Sequence, residues 1–394
     1  MAGFVAMMPE SANDLADDER PGVVFTMRYG NEIGYVWLTI ARLRDLVARN
    51  LQDRARCYIA YPQVGPRAAY RPRWLTVDRA DFYDYSPQNR VVLAEYIRHR
   101  RIRLIVFMSA LPSTIDLDFL RRLGVRTVNT ENDSFDAEQQ QSVWRLGTKF
   151  AMRRVLKRQL HDLHVANSQA QFDFLARFAQ IPATRLRLIQ DGVDTDRFLP
   201  AAEVDARAEA CAAIGLDSGP LWIMAASQAR PEKRLEYVIE AARRVIAARP
   251  EADVRFFYVG DGECRERWQA EAADLGDRFR FLGPQSDLAP FYRAASVFAH
   301  ASFRESFGLV MAEAMSSGLP VVATNSHGAS ELVADRQTGY LTERDDMDGF
   351  TQALLRYVDD PALRRQHGAA ARQRCVENFS IERQARHLAE IIRP

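Results

Sequence analysis

The sequence predicts an α/β protein made of two doubly wound parallel-sheet domains. Three observations carry that expectation. Short apolar runs rich in β-branched and aromatic residues alternate with helix-period stretches along most of the chain. The alternation breaks once, at the turn-rich segment 191–200, and then starts again. The length of 394 residues is enough for two domains of ordinary size. Strands that alternate with helices favour a parallel sheet covered on both faces. The expected division is a first domain over 1–197, a second over 198–378, and a terminal segment over 379–394.

The elements follow in order. The first ~20 residues are polar and acidic and read as a loose tail. Strand 22–27 (GVVFTM) leads through a turn at 28–34 to a helix over 35–50, with Val36, Ile40, Leu43, Leu46 and Val47 at helical spacing. Strands follow at 57–60 and 74–77, then a helix at 89–100 and a strand at 104–108. A helix at 117–123, a strand at 125–129 and a long helical region at 142–163 come next. Strand 164–167, helix 169–178 and strand 186–189 complete the first half. The second half opens with strand 221–226 and helix 236–248. Strand 254–259 ends at Gly260-Asp261-Gly262, with a helix near 263–274, a strand at 279–282 and a short helix at 288–295 beyond it. Strand 297–299, a loop, helix 308–315 and strand 321–324 form one continuous unit. Its helix holds the strong helix formers Leu309, Met311, Ala312, Glu313, Ala314 and Met315 and stops at Ser316-Ser317-Gly318 before Pro320. Helices near 347–358 and 361–377 and a last helix at 381–392 close the chain.

Composition narrows the class. Hydrophobic residues at 47% and charged residues at 27% are ordinary for a globular protein. A formal net charge of +1 implies no global preference for nucleic acid. The first 200 residues are net basic and the remainder net acidic. No run of 18 apolar residues is present, and the start of the chain lacks a signal-peptide pattern. Cys57, Cys211, Cys264 and Cys375 are scattered with no CxxC, so a cytoplasmic setting is expected. Lysine is scarce: Lys149, Lys157 and Lys233 are the three. Lys149, Arg153 and Lys157 recur at helical spacing with Arg145, Arg154 and Arg158 beside them. That stretch, 145–158, is either a solvated face or a peripheral contact for anionic lipid or an anionic acceptor.

The most informative stretch is the unit around Glu305 and Glu313. Glu305 precedes the helix and Glu313 lies inside it. A helix start offers unbonded amides and the positive end of a dipole, which suits a phosphate. Gly308 lets the backbone approach a ligand. Two carboxylates beside such a cradle repel the phosphate itself but can hold hydroxyl groups on either side of it. A sugar on one side and a ribose on the other fit that arrangement. Arg230 and Lys233 follow a strand directly, and ligands of doubly wound sheets sit at the carboxyl ends of strands. Both are therefore placed to meet an anion, Arg as a two-pronged grip and Lys as a mobile point charge.

The segment ESFGLVMAEAMSSGLPVVAT, with Glu305-x7-Glu313, resembles the signature of retaining glycosyltransferases of family 4, which have the GT-B fold. The resemblance implies two Rossmann-like domains facing a cleft, the first for the acceptor and the second for a nucleoside diphosphate sugar. It implies transfer from a UDP- or GDP-sugar to a hydroxyl of a glycan, glycolipid or small glycoside. Glu305 then lies at the donor sugar, Ser306, Phe307, Gly308 and Leu309 at sugar and diphosphate, and Glu313 at the ribose. Residues 225–233 resemble the family's Gly-Arg-x-x-x-x-Lys segment, so Arg230 and Lys233 fall to the diphosphate and its chemistry. The usual arginine position is occupied by Gln228, a neutral donor, and the arginine stands two places later. Gly260 and Gly262 would face the nucleotide, Gly283 the base, and Gly30 in the first loop the cleft. The junction at 191–194 resembles the family's Asn-Gly-Val-Asp hinge with Asp191 in place of Asn, and 327–331 resembles its Gly-Gly-x-x-Glu turn. The terminal helix is implied to cross back onto the first domain.

The family's histidine after the fifth strand is missing, and Glu131 and Asn132 are the candidates for its place. His300 and His327 receive no catalytic role. No metal or other cofactor is implied at the diphosphate. Asp116-Leu117-Asp118 and Asp194-Thr195-Asp196 match a DxD pattern by letter, but neither directly follows a predicted strand. A sugar-nucleotide epimerase of the same fold and a non-catalytic nucleotide-sugar-binding subunit are the competing functions.

Overall fold

The computed structural model describes residues 18–32, 36–110, 114–131, 160–177, 179–201 and 204–394. The first sheet contains β1 (Gly22–Thr26), β2 (Arg56–Tyr61), β3 (Thr76–Arg79), β4 (Ile102–Met108), β5 (Arg126–Glu131), β6 (Leu163–Ala166) and β7 (Leu186–Leu188). The second contains β8 (Leu221–Ala226), β9 (Val254–Val259), β10 (Phe279–Phe281), β11 (Val297–His300), β12 (Val321–Thr324) and β13 (Gly339–Thr342). Their orders are β3-β2-β1-β4-β5-β6-β7 and β10-β9-β8-β11-β12-β13, and the pairings are parallel. The two-domain doubly wound architecture read from the sequence is therefore the observed one.

The central strands are buried along their length because helices cover both faces; β1 and β11 have no exposed residue. In each sheet the strand order reverses once, between β1 and β4 and between β8 and β11. A crevice opens at the carboxyl ends of the strands at such a point.

The helices of the first domain are α1 (Val36–Leu51), α2 (Pro87–His99), α3 (Leu117–Arg122) and α4 (Gln169–Arg177). The second domain adds α5 (Val204–Ala213), α6 (Leu235–Ala248), α7 (Arg265–Glu271), α8 (Ala289–Ala294), α9 (Leu309–Ser316), α10 (His327–Leu332), α11 (Met347–Asp359), α12 (Pro361–Asn378) and α13 (Ile381–Ile391). α13 packs on α1 against the first sheet: Ile381, Ala385 and Leu388 share one core with Leu46 and Val47. The hinge is stitched to this crossing by Val193 N–H donating to Phe379 O at 2.8 Å and Ile381 N–H to Val193 O at 2.9 Å. Ile381→Ala is expected to cost about 2–5 kcal/mol of stability in urea unfolding, the usual range for emptying a fully buried Ile site.

Several expectations need correction. The third strand begins at Thr76, not residue 74. The amides of Arg73 and Trp74 are spent on the Asp45 carboxylate at 2.6–3.0 Å, which holds that stretch in a turn. Leu163 opens a strand paired with Val128 rather than ending a helix. The helix near 263–274 stops at Glu271, and tighter 3-10 turns broken at Gly276 follow over 273–278. The turn at 327–331 is the helix α10, capped by the Ser326 hydroxyl on Ala329 N–H. α5 and the edge strand β13 were not foreseen. The basic stretch 145–158 and Asn132 lie outside the described residues. Among the described residues, no helix is long and apolar enough to cross a membrane.

Candidate active site

The site assembles at the carboxyl ends of β8 and β11, which are neighbours in the second sheet. After β8 the chain turns through 231–233, and after β11 it loops through 301–308. The two loops are tied together: Phe303 N–H donates to Glu232 O at 2.8 Å, and Ser302 Oγ to the same oxygen at 3.3 Å. This brings Lys233 to Glu305 across 72 positions of sequence. Lys233 Nζ lies 2.6 Å from Glu305 Oε2, and His300 Nε2 lies 3.1 Å from that same oxygen. Oε1 has no partner among the described residues and is the oxygen left for a ligand. Burial alone would push Glu305 upward, but the Lys233 charge and the His300 hydrogen bond more than offset it and bring the carboxyl to about 2. Glu305 is thus a fixed anion at any working pH.

His300 is the member of this cluster to which the sequence reading gave no role. It is 4% exposed and closes the strand whose loop carries Glu305. Its position at the carboxyl end of a buried strand, five residues before that acid, was the available signal.

α9 begins at Gly308, which sits in the left-handed region at φ +97° and provides no side-chain cap. The amides of Leu309 and Val310 have no acceptor among the described residues. An uncapped first turn that begins four positions after Glu305 is an anion cradle by geometry and by dipole. Ser306 Oγ donates to Asn167 Oδ1 of the first domain at 3.1 Å. The Phe307 side chain is core, 2% exposed, so any ligand contact it makes is through backbone. Glu313 is 3% exposed, and Tyr292 Oη donates to its Oε2 at 2.9 Å.

The remaining loops border the same end of the sheet. Arg230 and Gln228 are exposed on either side of buried Ala229, whose backbone is clamped by Asp261 O and Cys264 N–H. Gly260 N–H donates to Gly283 O at 3.0 Å. A side chain at 260 would meet Ser227 O at 1.9 Å with φ at +154°, so glycine is required for these loops to lie so close. Gly30 lies in the other domain, after β1, packed on Gln63. The structure thus joins Lys233, His300, Glu305 and the α9 amides in one place. It sets Arg230, Gln228, Gly260, Gly262 and Gly283 along the neighbouring loops and Gly30 across the cleft.

Glu131, a candidate for the missing histidine position, is buried; His164 Nδ1 lies 3.0 Å from its Oε1 and Asn129 Nδ2 donates to that oxygen at 2.5 Å. The cleft is bridged by Glu331 of α10, which accepts Gln169 N–H at 2.6 Å and Gln190 Nε2–H at 2.8 Å from the first domain. No cluster of three or more His, Cys, Asp or Glu side chains suited to a metal ion occurs among the described residues.

Comparison with known proteins matches both halves. The family described as "Glycosyltransferase Family 4" matches residues 40–197, and that described as "Glycosyl transferases group 1" matches residues 220–360. A D-inositol 3-phosphate glycosyltransferase of Streptomyces avermitilis is 34% identical over 241 residues, covering 58% of this chain and 51% of that protein. The chain therefore spans about half the length of that relative. The lipopolysaccharide core biosynthesis mannosyltransferase LpsB of Rhizobium meliloti is 29% identical over 290 residues, 71% of this chain and 75% of that protein. Among solved structures, a glycosyltransferase from Rickettsia africae superposes with a TM-score of 0.74 at 18% identity, over 95% of this chain and 98% of that one. Anabaena Alr3699/HepE in complex with UDP-glucose gives 0.71 at 20% identity, over 94% and 99%. At these identities the structural likeness establishes the two-domain GT-B fold.

Proposed function

We propose, from the premise that this chain is a family 4 glycosyltransferase of the GT-B fold, that it moves a sugar from a UDP- or GDP-sugar to a hydroxyl acceptor with retention of anomeric configuration. The observation that carries this reading is the uncapped first turn of α9 beside the Lys233–Glu305–His300 cluster. In the proposed reaction the diphosphate lies against the Leu309 and Val310 amides. Charge that gathers on it as the glycosidic bond lengthens is met by those amides, Lys233 and Arg230. Glu305 turns its unpartnered oxygen to the sugar hydroxyls and to the positive charge near the anomeric carbon. Gln228, Gly260, Gly262 and Gly283 border the nucleotide, Gly30 faces the donor from across the cleft, and Glu313 is the residue for the ribose. Since Tyr292 already holds Glu313, the ribose hydroxyls would share that carboxylate rather than find it open.

The protein's own cations supply the counter-charge, so EDTA is expected to leave the transfer rate unchanged; a rate that collapses with chelator and returns with Mg²⁺ or Mn²⁺ contradicts that assignment. The donor is identified by melting the protein with a panel of UDP- and GDP-sugars, because a ligand that binds the folded state raises its Tm. NMR of the product from the stabilising donor then reads the anomeric configuration. An inverted product, or donor that is only epimerised when no acceptor is present, rejects the proposed reaction.

A further inference from the structure

A second feature lies in the first domain, beneath α1 and α13. There a cavity of about 40 Å³ is walled mainly by apolar side chains of α1, α13, β1, β4 and β6. Arg44 of α1 lines it and is 4% exposed. A buried guanidinium normally has a carboxylate, since an isolated charge in such a place costs several kcal/mol. Arg44 has none among the described residues. Its Nη1 donates to Thr26 O at 2.8 Å and to Met27 Sδ, and the guanidinium lies over the Phe25 ring. Burial lowers its pKa to about 10, with the tyrosines Tyr83 and Tyr61 as the groups that oppose the shift. It is still protonated at neutral pH. Nε and Nη2, the edge that grips a carboxylate or phosphate side-on, have no acceptor among the described residues.

The rest of the cavity has a different character. Glu131, Asn167, Asp191 and Gln384 line its hinge side. Glu131 is held by His164 and Asn129, and Asp191 accepts from Asn167 Nδ2 at 2.7 Å and Gln384 Nε2 at 3.0 Å. Glu131 Oε2, which takes neither of these bonds, and the second lone pair of Asn167 Oδ1 can still accept hydroxyl groups. Asn167 also touches Ser306, next in sequence to Glu305, so this cavity and the donor site share a wall.

We propose that the cavity is a binding site for an oxyanion, carboxylate or phosphate, on a hydroxylated acid, with Arg44 gripping the oxyanion and the hinge-side groups taking its hydroxyls. This rests on the glycosyltransferase reading only in naming that acid as the acceptor. A volume of about 40 Å³ holds roughly three water-sized groups, enough for the oxyanion oxygens that face Arg44. The remainder of the acceptor extends into the cleft toward Glu305.

Crystals of the full chain soaked in sodium selenate and, separately, in bromoacetate test the site, because both anions are seen by anomalous scattering. An anomalous peak within hydrogen-bond reach of Arg44 Nε and Nη2 is expected, absent in Arg44→Gln. In solution, the glycerol 3-phosphate or glycerate concentration that gives half the maximal Tm rise should be at least tenfold higher for Arg44→Gln. The stronger of the two compounds tells phosphate from carboxylate. If Arg44→Gln does not fold, Leu43→Phe keeps the charge while filling the space, and should lose the peak. No peak beside Arg44, a peak that survives either variant, or equal half-saturation in wild type and variant overturns the proposal. A selenate peak confined to the first turn of α9 would overturn this inference while leaving the donor-site reading intact.

Discussion

Glu305→Gln is expected to lower sugar transfer by about 10²–10³-fold, the usual loss when one preorganised electrostatic partner of a transition state is removed. Nucleotide affinity should be unchanged or slightly tighter. The reason is the shared oxygen: Lys233 spends its charge on Glu305 Oε2, at 2.6 Å. With a neutral amide there, Lys233 is freer to turn to a diphosphate. A loss confined to turnover marks an interaction made in the transition state rather than in binding. Steady-state rates together with calorimetric titration of UDP and GDP check both halves. Unaltered turnover would remove Glu305 from the chemistry, and a large loss of nucleotide affinity would make it a binding residue only.

Lys233→Met should have the second largest effect, and on two readouts. Losing one charge-assisted contact to the diphosphate is worth about 1.5–3 kcal/mol, or roughly 10–150-fold in nucleotide affinity. The variant also leaves a buried carboxylate without its cation. Burial raises Glu305, and Lys233 ahead of His300 brings it down from 4.5 to about 2. A folded-state pKa below the unfolded one contributes stability that is complete above the unfolded value and is lost as pH falls toward the folded one. A shift of that size corresponds to about 3 kcal/mol at neutral pH. Wild type should therefore exceed Lys233→Met in urea unfolding at pH 7. The gap should narrow as pH falls from about 5 toward 2. A gap that is constant with pH would mean that the two side chains do not form this pair in solution.

The parts of this molecule that were legible in the sequence are those where local pattern and tertiary environment agree. β1, β8, β9 and β11 are predominantly apolar because both faces of a parallel sheet are covered, and they stand out for that reason. β13 was missed because it is a four-residue edge strand, three of its residues only partly buried, with a glycine that must abut Val321. The third strand was misplaced because Trp74 looks like a buried strand residue, whereas it is 40% exposed in a turn that Asp45 organises from 28 and 29 positions away.

The candidate site shows the same division. Arg230, Lys233 and Glu305 were found because each follows a strand, and ligands gather at strand ends. That Lys233 and Glu305 touch depends on β8 lying beside β11, a matter of sheet order that one strand cannot reveal alone. His300 looked like a stray histidine in an apolar run until the loop folded back and set Glu305 against its ring nitrogen. Phe307 belongs to the conspicuous stretch, yet its side chain serves the core. Arg44 gave no signal at all: one of three arginines on α1, it becomes notable only when it is buried with no carboxylate partner among the described residues.

A structure of the protein with the nucleoside diphosphate sugar that most raises its Tm tests the account most directly. The β-phosphate oxygens should lie about 3 Å from the Leu309 and Val310 amides. Lys233 Nζ should have left Glu305 for the diphosphate, with Glu305 held by His300 and its second oxygen at the sugar. A diphosphate bound elsewhere, with the Lys233–Glu305 pair still closed and the first turn of α9 bare, would contradict it.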